Sequence, residues 1–387
     1  METKRSFFVV LAGLSCCAVT TPDEAPPRWS PSAIASVRHW VSAAPEDALP
    51  VLSTAGLDLA IASRDPAKVD GAATALALQL ARMQLLGSAG QAERRGWNIP
   101  DTDTRIDLPA RLQAALTQAT AASGDGLDRF FSALRPQSPE YAALRGALAA
   151  EQDPARRRTI ALNMERWRWM PVSLGEDYVL VNVAAFEVGL WRGGSRVARW
   201  PVIVGKPRTP SPVFAATVNG VTFNPWWEVP ANIARESVAA LVRNWPAIAK
   251  SRGYVQADGH YRQRPGPANA LGQMKLAMPN PYNVYLHDTP DRKLFAGEVR
   301  AFSHGCIRVG NALDFAGALL QGKLSAEQVS AIAGSGRTVT IALPAPLPVY
   351  VAYFTAARGS DDTVRILPDI YGRDANRGKP ATGSCAA

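Results

Sequence analysis

One cysteine and one histidine stand out by type and spacing. Cys306 lies in the run Ser303-His304-Gly305-Cys306-Ile307-Arg308, and His287 closes the apolar stretch Tyr282–Leu286 nineteen positions earlier. A thiol attacks a carbonyl as its thiolate. An ordinary thiol, with a pKa of about 8.5, is only ~3% ionised at pH 7. Lowering that value by about two raises the fraction to roughly 75%, at ~2.7 kcal/mol of differential stabilisation. A histidine within hydrogen-bonding reach is the usual device. His287 is the better base, because a strand end can face the cysteine loop across a connection. His304, two residues before Cys306, reads as a structural hydrogen-bonding residue. Gly305 permits an unusual backbone angle just ahead of the cysteine, and the amides around Gly305 and Cys306 make a candidate oxyanion site with Ser303 in support. Arg308 has two readings: it holds a negative charge, or it ties the loop to backbone carbonyls.

The remaining cysteines sharpen the reading. Of four, Cys16 and Cys17 lie near the start and Cys385 is third from the end. A secreted chain framed by disulfides carries an even, dispersed set, which this one does not. A Cys306–Cys385 bridge is disfavoured because Cys385 ends a Gly/Ser/Ala-rich tail. Zinc held by His287, His304 and Cys306 lacks a convincing fourth ligand, so no metal and no cofactor is expected.

The elements that must position these residues follow from texture. A chain of 387 residues, 47% apolar and 19% charged, favours two folded domains over disorder. The net charge of +9 is diffuse, without the Lys/Arg runs interleaved with aromatics that track a nucleic acid. Lys4, Arg5 and the apolar Phe7–Leu14 read as an export signal over residues 1–18, with a lipid anchor at Cys16 or Cys17 as the alternative. A Pro/Thr-rich linker is expected over 19–32. Residues 33–150 are Ala- and Leu-rich, and Leu127, Phe130, Phe131 and Leu134 recur at helical spacing, so this region is expected to be a helical domain. Ala155–Trp169 predicts one more helix.

Strand signals then dominate over 155–371. They fall at Tyr178–Val183, Val197–Val204, Tyr282–Leu286, Thr338–Leu343 and Val349–Thr355. Phe214–Val218 and Val221–Phe223 flank Asn219-Gly220, which predicts a hairpin turn. Helices are expected at Ala231–Lys250, Asn311–Gln321 and Ala326–Ala333. Residues 372–387 read as a flexible tail.

Tyr285-Leu286-His287-Asp288-Thr289-Pro290 followed by Ser303-His304-Gly305-Cys306-Ile307-Arg308-Val309 resembles the signature of the YkuD-type L,D-transpeptidases. Asn163-Met164-Glu165-Arg166, Val202–Lys206, Asn224–Pro230 and Asn269–Gly272 are similar to the larger Gram-negative branch with a helical scaffold. The resemblance implies an α+β chain, a helical scaffold domain followed by a mainly β catalytic domain of β-sandwich type. It implies that Cys306 forms a thioester with the third residue of a tetrapeptide stem and releases D-Ala. A diaminopimelate amine of another stem then attacks, giving a 3→3 crosslink in periplasmic peptidoglycan. His287 would move the protons, and penems would acylate Cys306. Cell-wall synthesis proteins are the implied partners. Tyr285, Trp226 and Trp227 line the cleft or simply pack. Two departures from the branch are visible. There is no room for a separate peptidoglycan-binding module, and Arg252–Pro267 is short where relatives carry a larger lid. A carboxypeptidase or endopeptidase of the same fold is the near alternative, and a non-catalytic wall-binding scaffold the distant one. Papain- and NlpC-like hydrolases place Cys before His, the reverse of the order here.

Overall fold

A computed structural model describes residues 29–121, 125–359 and 361–374. The expected export signal, Cys16, Cys17, Cys385 and the tail beyond Asp374 lie outside the described residues.

The helical region begins with α1 (Pro31–Ala43), capped by the Ser30 hydroxyl, two residues ahead of the expected start. Trp29 already belongs to its core, its indole N–H donating to Thr74 Oγ1, so the expected linker stops short of it. There follow α2 (Ala55–Ala62), α3 (Pro66–Leu86), α4 (Leu108–Ala121) and α5 (Gly126–Ala133). The spacing that predicted α5 puts Leu127, Phe130, Phe131 and Leu134 in one core with Trp40, Leu80 and Leu112. Next, α6 (Pro139–Ala150), expected within the helical domain, turns its apolar face to a second core. Its Tyr141, Leu144 and Leu148 are buried in the core of the β region, together with Ile160, Met164 and Trp167 of α7 (Pro154–Trp167). Ile99, earlier in the chain, joins this second core as well, so the two cores interleave along the sequence.

The strands are β1 (Trp97–Asn98), β2 (Tyr178–Asn182), β3 (Glu187–Arg192), β4 (Ser195–Gly205), β5 (Val213–Phe223), β6 (Trp227–Glu228), β7 (Tyr254–Ala257), β8 (His260–Gln263), β9 (Met274–Ala277), β10 (Leu286–His287), β11 (Ala301–Ser303), β12 (Ile307–Val309), β13 (Val339–Ala352), β14 (Ala356–Arg358) and β15 (Val364–Ile366). The main sheet runs β1-β5-β13-β2-β3-β4-β12-β10-β9, and β9 pairs again with β5. The expected sandwich thus has its two layers joined through β9 into a closed surface. Closure removes exposed edges and leaves one continuous core. Short helices α11 (Ala312–Leu319) and α12 (Ala326–Gly334) pack on it, with Phe315 and Leu319 fully buried.

Three strand expectations fail for identifiable reasons. Asn219-Gly220 is not a turn, because β5 passes straight through it. Gly220 pairs with Ala342 on one side and Ala277 on the other. A Cβ on Gly220 would stand 2.7 Å from the Ile341 carbonyl oxygen, so this glycine serves close backbone approach. The two expected strands around Pro344 and Pro346 are one, β13, whose register shifts between Ala342 and Leu347 where these prolines sit. Of Tyr282–Leu286 only Leu286 is in a strand. The Asn280 side chain accepts from the amides of Tyr282 and Val284 and donates to the carbonyls of Met278 and Val284, holding this segment as a turn instead.

Candidate active site

β10 and β12 lie side by side and parallel, with Leu286 opposite Ile307 and His287 opposite Arg308. This pairing brings the nineteen-residue spacing to a single point: His287 ends one strand, and Cys306 leads into the other. Both line a cleft of about 510 Å³ together with Trp226, Trp227, Tyr285 and Arg308. Its far wall is a small cover. Short helices α8 (Ala231–Ile233), α9 (Ala239–Asn244) and α10 (Pro246–Ser251), with a π-turn between α8 and α9, lead into the β7–β8 hairpin, which pairs with β6. The stretch Arg252–Pro267 holds this hairpin. Its base is fixed by Asn269, whose amide donates to the carbonyls of Pro225 and Arg264, and by Gln263, which donates to those of Arg252 and Ala268.

The loop before Cys306 is held by its own hydroxyl. Ser303 Oγ donates to the Cys306 carbonyl at 2.5 Å and accepts from the Gly305 amide at 3.1 Å. Gly305 has φ of +117°, the left-handed region that glycine tolerates. Its carbonyl accepts from Ser211 Oγ at 2.7 Å, and Ser211 is wholly buried. The Gly305 amide is therefore engaged with Ser303, which removes it from the expected oxyanion pair. A brace reaches this loop from the end of the described chain. Tyr371 Oη donates to the Gly205 carbonyl at 2.6 Å and accepts from the Ser211 amide, while Asp374 pairs with Arg166 of α7 at 2.8 Å. Residues 372–374 are accordingly anchored, and any tail starts after them.

His287 is 4% exposed. Its Nδ1 donates to the Asp288 carbonyl at 2.5 Å, which fixes the tautomer and leaves Nε2 as an acceptor. Burial, then the nearby Arg308 guanidinium, pushes its pKa down to about 3. The imidazole is neutral at physiological pH. Cys306 is partly exposed, and its thiol donates to the Asn283 carbonyl at 3.8 Å. His304 also lines the cleft, and its Nε2 meets Glu236 of the cover at 3.1 Å. Arg308 meets Asp291 at 3.5 Å, and none of the carbonyls of the loop is its partner among the described residues. Arg262 lies over Trp226 at 4.7 Å, and Lys275 Nζ stands 3.5 Å above the centre of the Tyr285 ring.

Three contributors had no clear sequence signal: Lys275, Asn283 and Ser211. Lys275 is the one charge in the apolar run Met274–Met278, a weak clue that only strand pairing makes specific. Asn283 reaches the site through the turn that replaces the expected strand. Ser211 sits ninety-odd positions from the loop it holds, as its bond to Gly305 records.

Comparison with known proteins places this geometry. Residues 176–341 match the L,D-transpeptidase catalytic domain, YkuD, and residues 25–148 match the Scaffold domain. The chain carries a YkuD catalytic domain behind a Scaffold domain. The YkuD domain holds the whole cleft. A Haemophilus influenzae protein named "Putative L,D-transpeptidase" is 28% identical over 236 residues, which are 56% of this chain and 48% of that one. This chain thus spans about half the length of that relative. Among solved structures, an L,D-transpeptidase from Mycobacterium smegmatis is 14% identical over 46% of this chain and 58% of its own, with a TM-score of 0.25. The catalytic domain of an E. faecium L,D-transpeptidase acylated by ertapenem is 14% identical over 46% of this chain and 99% of its own, with a TM-score of 0.26.

Proposed function

We propose that this protein is a peptidoglycan L,D-transpeptidase that forms 3→3 crosslinks through a Cys306 thioester. The observation that carries the reading is the shared cleft: Cys306, just ahead of β12, and a neutral His287 at the end of the adjacent β10 both line it within a YkuD domain. The sulfur adds to the carbonyl carbon of the third stem residue, and collapse of the adduct breaks the C–N bond to D-Ala. Cys306 attacks as its thiolate, and the unprotonated Nε2 of His287 relays a proton to the departing amine. The side-chain amine of a second stem then attacks the thioester, gives a proton to His287, and releases the sulfur. Trp226, Trp227 and Tyr285 supply the apolar wall along which a stem lies. Work on a periplasmic wall goes with the export signal read in residues 1–18, and ertapenem-type penems are expected to acylate Cys306.

The test is incubation of the purified protein with tetrapeptide wall fragments, followed by mass spectrometry. A dimer lacking one D-Ala is expected. Shortened monomer alone would make the protein a hydrolase of the same fold, and full activity in Cys306→Ala would end the thioester mechanism.

A further inference from the structure

His287 has a charged neighbour on each side. Antiparallel pairing sets Lys275 of β9 opposite it, and parallel pairing sets Arg308 of β12 opposite it on the other flank. Residues directly opposite in neighbouring strands place their side chains on one face, with Cβ atoms ~5 Å apart. Lys275, His287 and Arg308 therefore form a lateral row, and all three line the cleft. Cys306 precedes Arg308 by two positions and opens onto the same cleft. Protonating the imidazole would put three positive charges in line within a poorly hydrated wall.

A thiolate needs a positive charge facing it. In the usual thiolate–imidazolium pair the histidine supplies that charge, and this row disfavours it. Lys275 stands ready instead. Its ammonium lies over the Tyr285 ring, and Tyr285 in turn accepts the Ile307 amide through its carbonyl at 2.9 Å, next to the nucleophile. Among the described residues, no carboxylate lies within ion-pair distance of Lys275. Burial holds Lys275 and Arg308 below their ordinary pKa and Tyr285 above its own, and negative charge on Cys306 pushes each of the three upward. The other charged groups around the cleft are engaged. Glu228, which acts on Lys275, pairs with Arg262 at 2.7 Å; Asp291 faces Arg308; and Glu236 faces His304.

We propose that Lys275, with Arg308 behind it, is the standing counter-charge of the Cys306 thiolate, and that His287 is a neutral imidazole throughout the resting state. The proposal rests on Cys306 being the nucleophile. Ionisation breaks the S–H bond, leaves the electron pair on sulfur and sends the proton to solvent. His287 is then reserved for carrying protons transiently during turnover. Lys275 is a positioning residue: it acts through the charge on sulfur.

The experiment is the pH dependence of iodoacetamide alkylation, read on the Cys306 peptide by mass spectrometry. It needs neither wall substrate nor turnover, so its failure is distinguishable from failure of the transpeptidase reading. Lys275→Met is expected to raise the alkylation midpoint by about one pH unit or more, a roughly tenfold loss of rate below the midpoint. Lys275→Arg is expected to restore it to within about 0.3, and His287→Gln to leave it there too. The reverse pattern, with His287→Gln raising the midpoint and Lys275→Met leaving it, overturns the proposal. Should Lys275→Met not fold, histidine NMR on the unaltered protein decides, with only four histidines to assign. A His287 signal that stays neutral from about pH 5 to 8 supports the row, and imidazolium forming in step with thiol ionisation overturns it.

Discussion

At the junction of the helical and β regions, Arg168 is 1% exposed and its guanidinium is used up. It donates to the carbonyls of Gln84, Met164 and Asp47 and to Tyr141 Oη, the last two at 2.6 Å. Tyr141 in turn donates to Asp47, which also accepts from Arg135 and Gln84. The cleft row holds two half-buried positive charges and treats them in the opposite way. Arg308 Nε is buried without an acceptor, its head group reaches only an exposed Asp291 at 3.5 Å, and Lys275 rests on an aromatic face. A buried charge whose donors are all matched holds structure together, and removing one partner is costly. Half-buried charge left under-matched beside an open cavity suits an incoming negative group, such as the thiolate or stem carboxylate of the function proposed above.

This contrast can be broken from either side. Cys306→Ala should lower crosslinking on the order of 10⁴-fold or more by product mass spectrometry, with the thermal midpoint moved by no more than about 2 °C. Loss of folding in that variant would show the cleft to be structural like the junction. Arg168→Met should cost about 3–5 kcal/mol in urea unfolding, while the protein that remains folded keeps its kcat. A specific loss of kcat without destabilisation would erase the distinction between the two clusters. Ser211→Ala removes a buried donor from the Gly305 carbonyl and should cost about 1–3 kcal/mol, together with a roughly tenfold loss of kcat. An unchanged kcat would detach the brace from the site.

Acid supplies the smallest effect. The Arg135 bonds and charge outweigh burial and hold the Asp47 carboxyl below its ordinary 3.8. Its share of stability is therefore complete above that value and is lost as pH falls through the lowered folded value. Asp47→Asn should flatten the fall of urea midpoint with pH in that window, and a slope equal to wild type would remove Asp47 from the acid response.

What was legible in the sequence was local. The 3.6-residue spacing in α5, the helix after Asp153-Pro154 and the Ser-His-Gly-Cys run each declare themselves within a few positions. What was not legible depends on pairing between distant strands. Asn219-Gly220 carries a turn signal, yet neighbours on both flanks keep β5 extended through it. Lys275 looks like any lone surface lysine until β9 is set against β10. Tyr141 and Leu144 have helical spacing whichever core they serve, so spacing alone does not show that α6 packs against the β region. The Gly305 amide was expected to face a substrate, and only the folded loop shows Ser303 claiming it.

The brace from Tyr371 through Ser211 to Gly305 also sets a condition on timing. A chain emerging from synthesis exposes Cys306 well before Tyr371, and until that phenol arrives the Gly205 carbonyl and the Ser211 amide lack the partner it gives them. The geometry of the Cys306 loop thereby depends on a residue more than sixty positions further along the chain. A chain ending at Pro368 should alkylate Cys306 with a heterogeneous, slower profile than one ending at Asp374, and identical profiles would show the loop to be set without it.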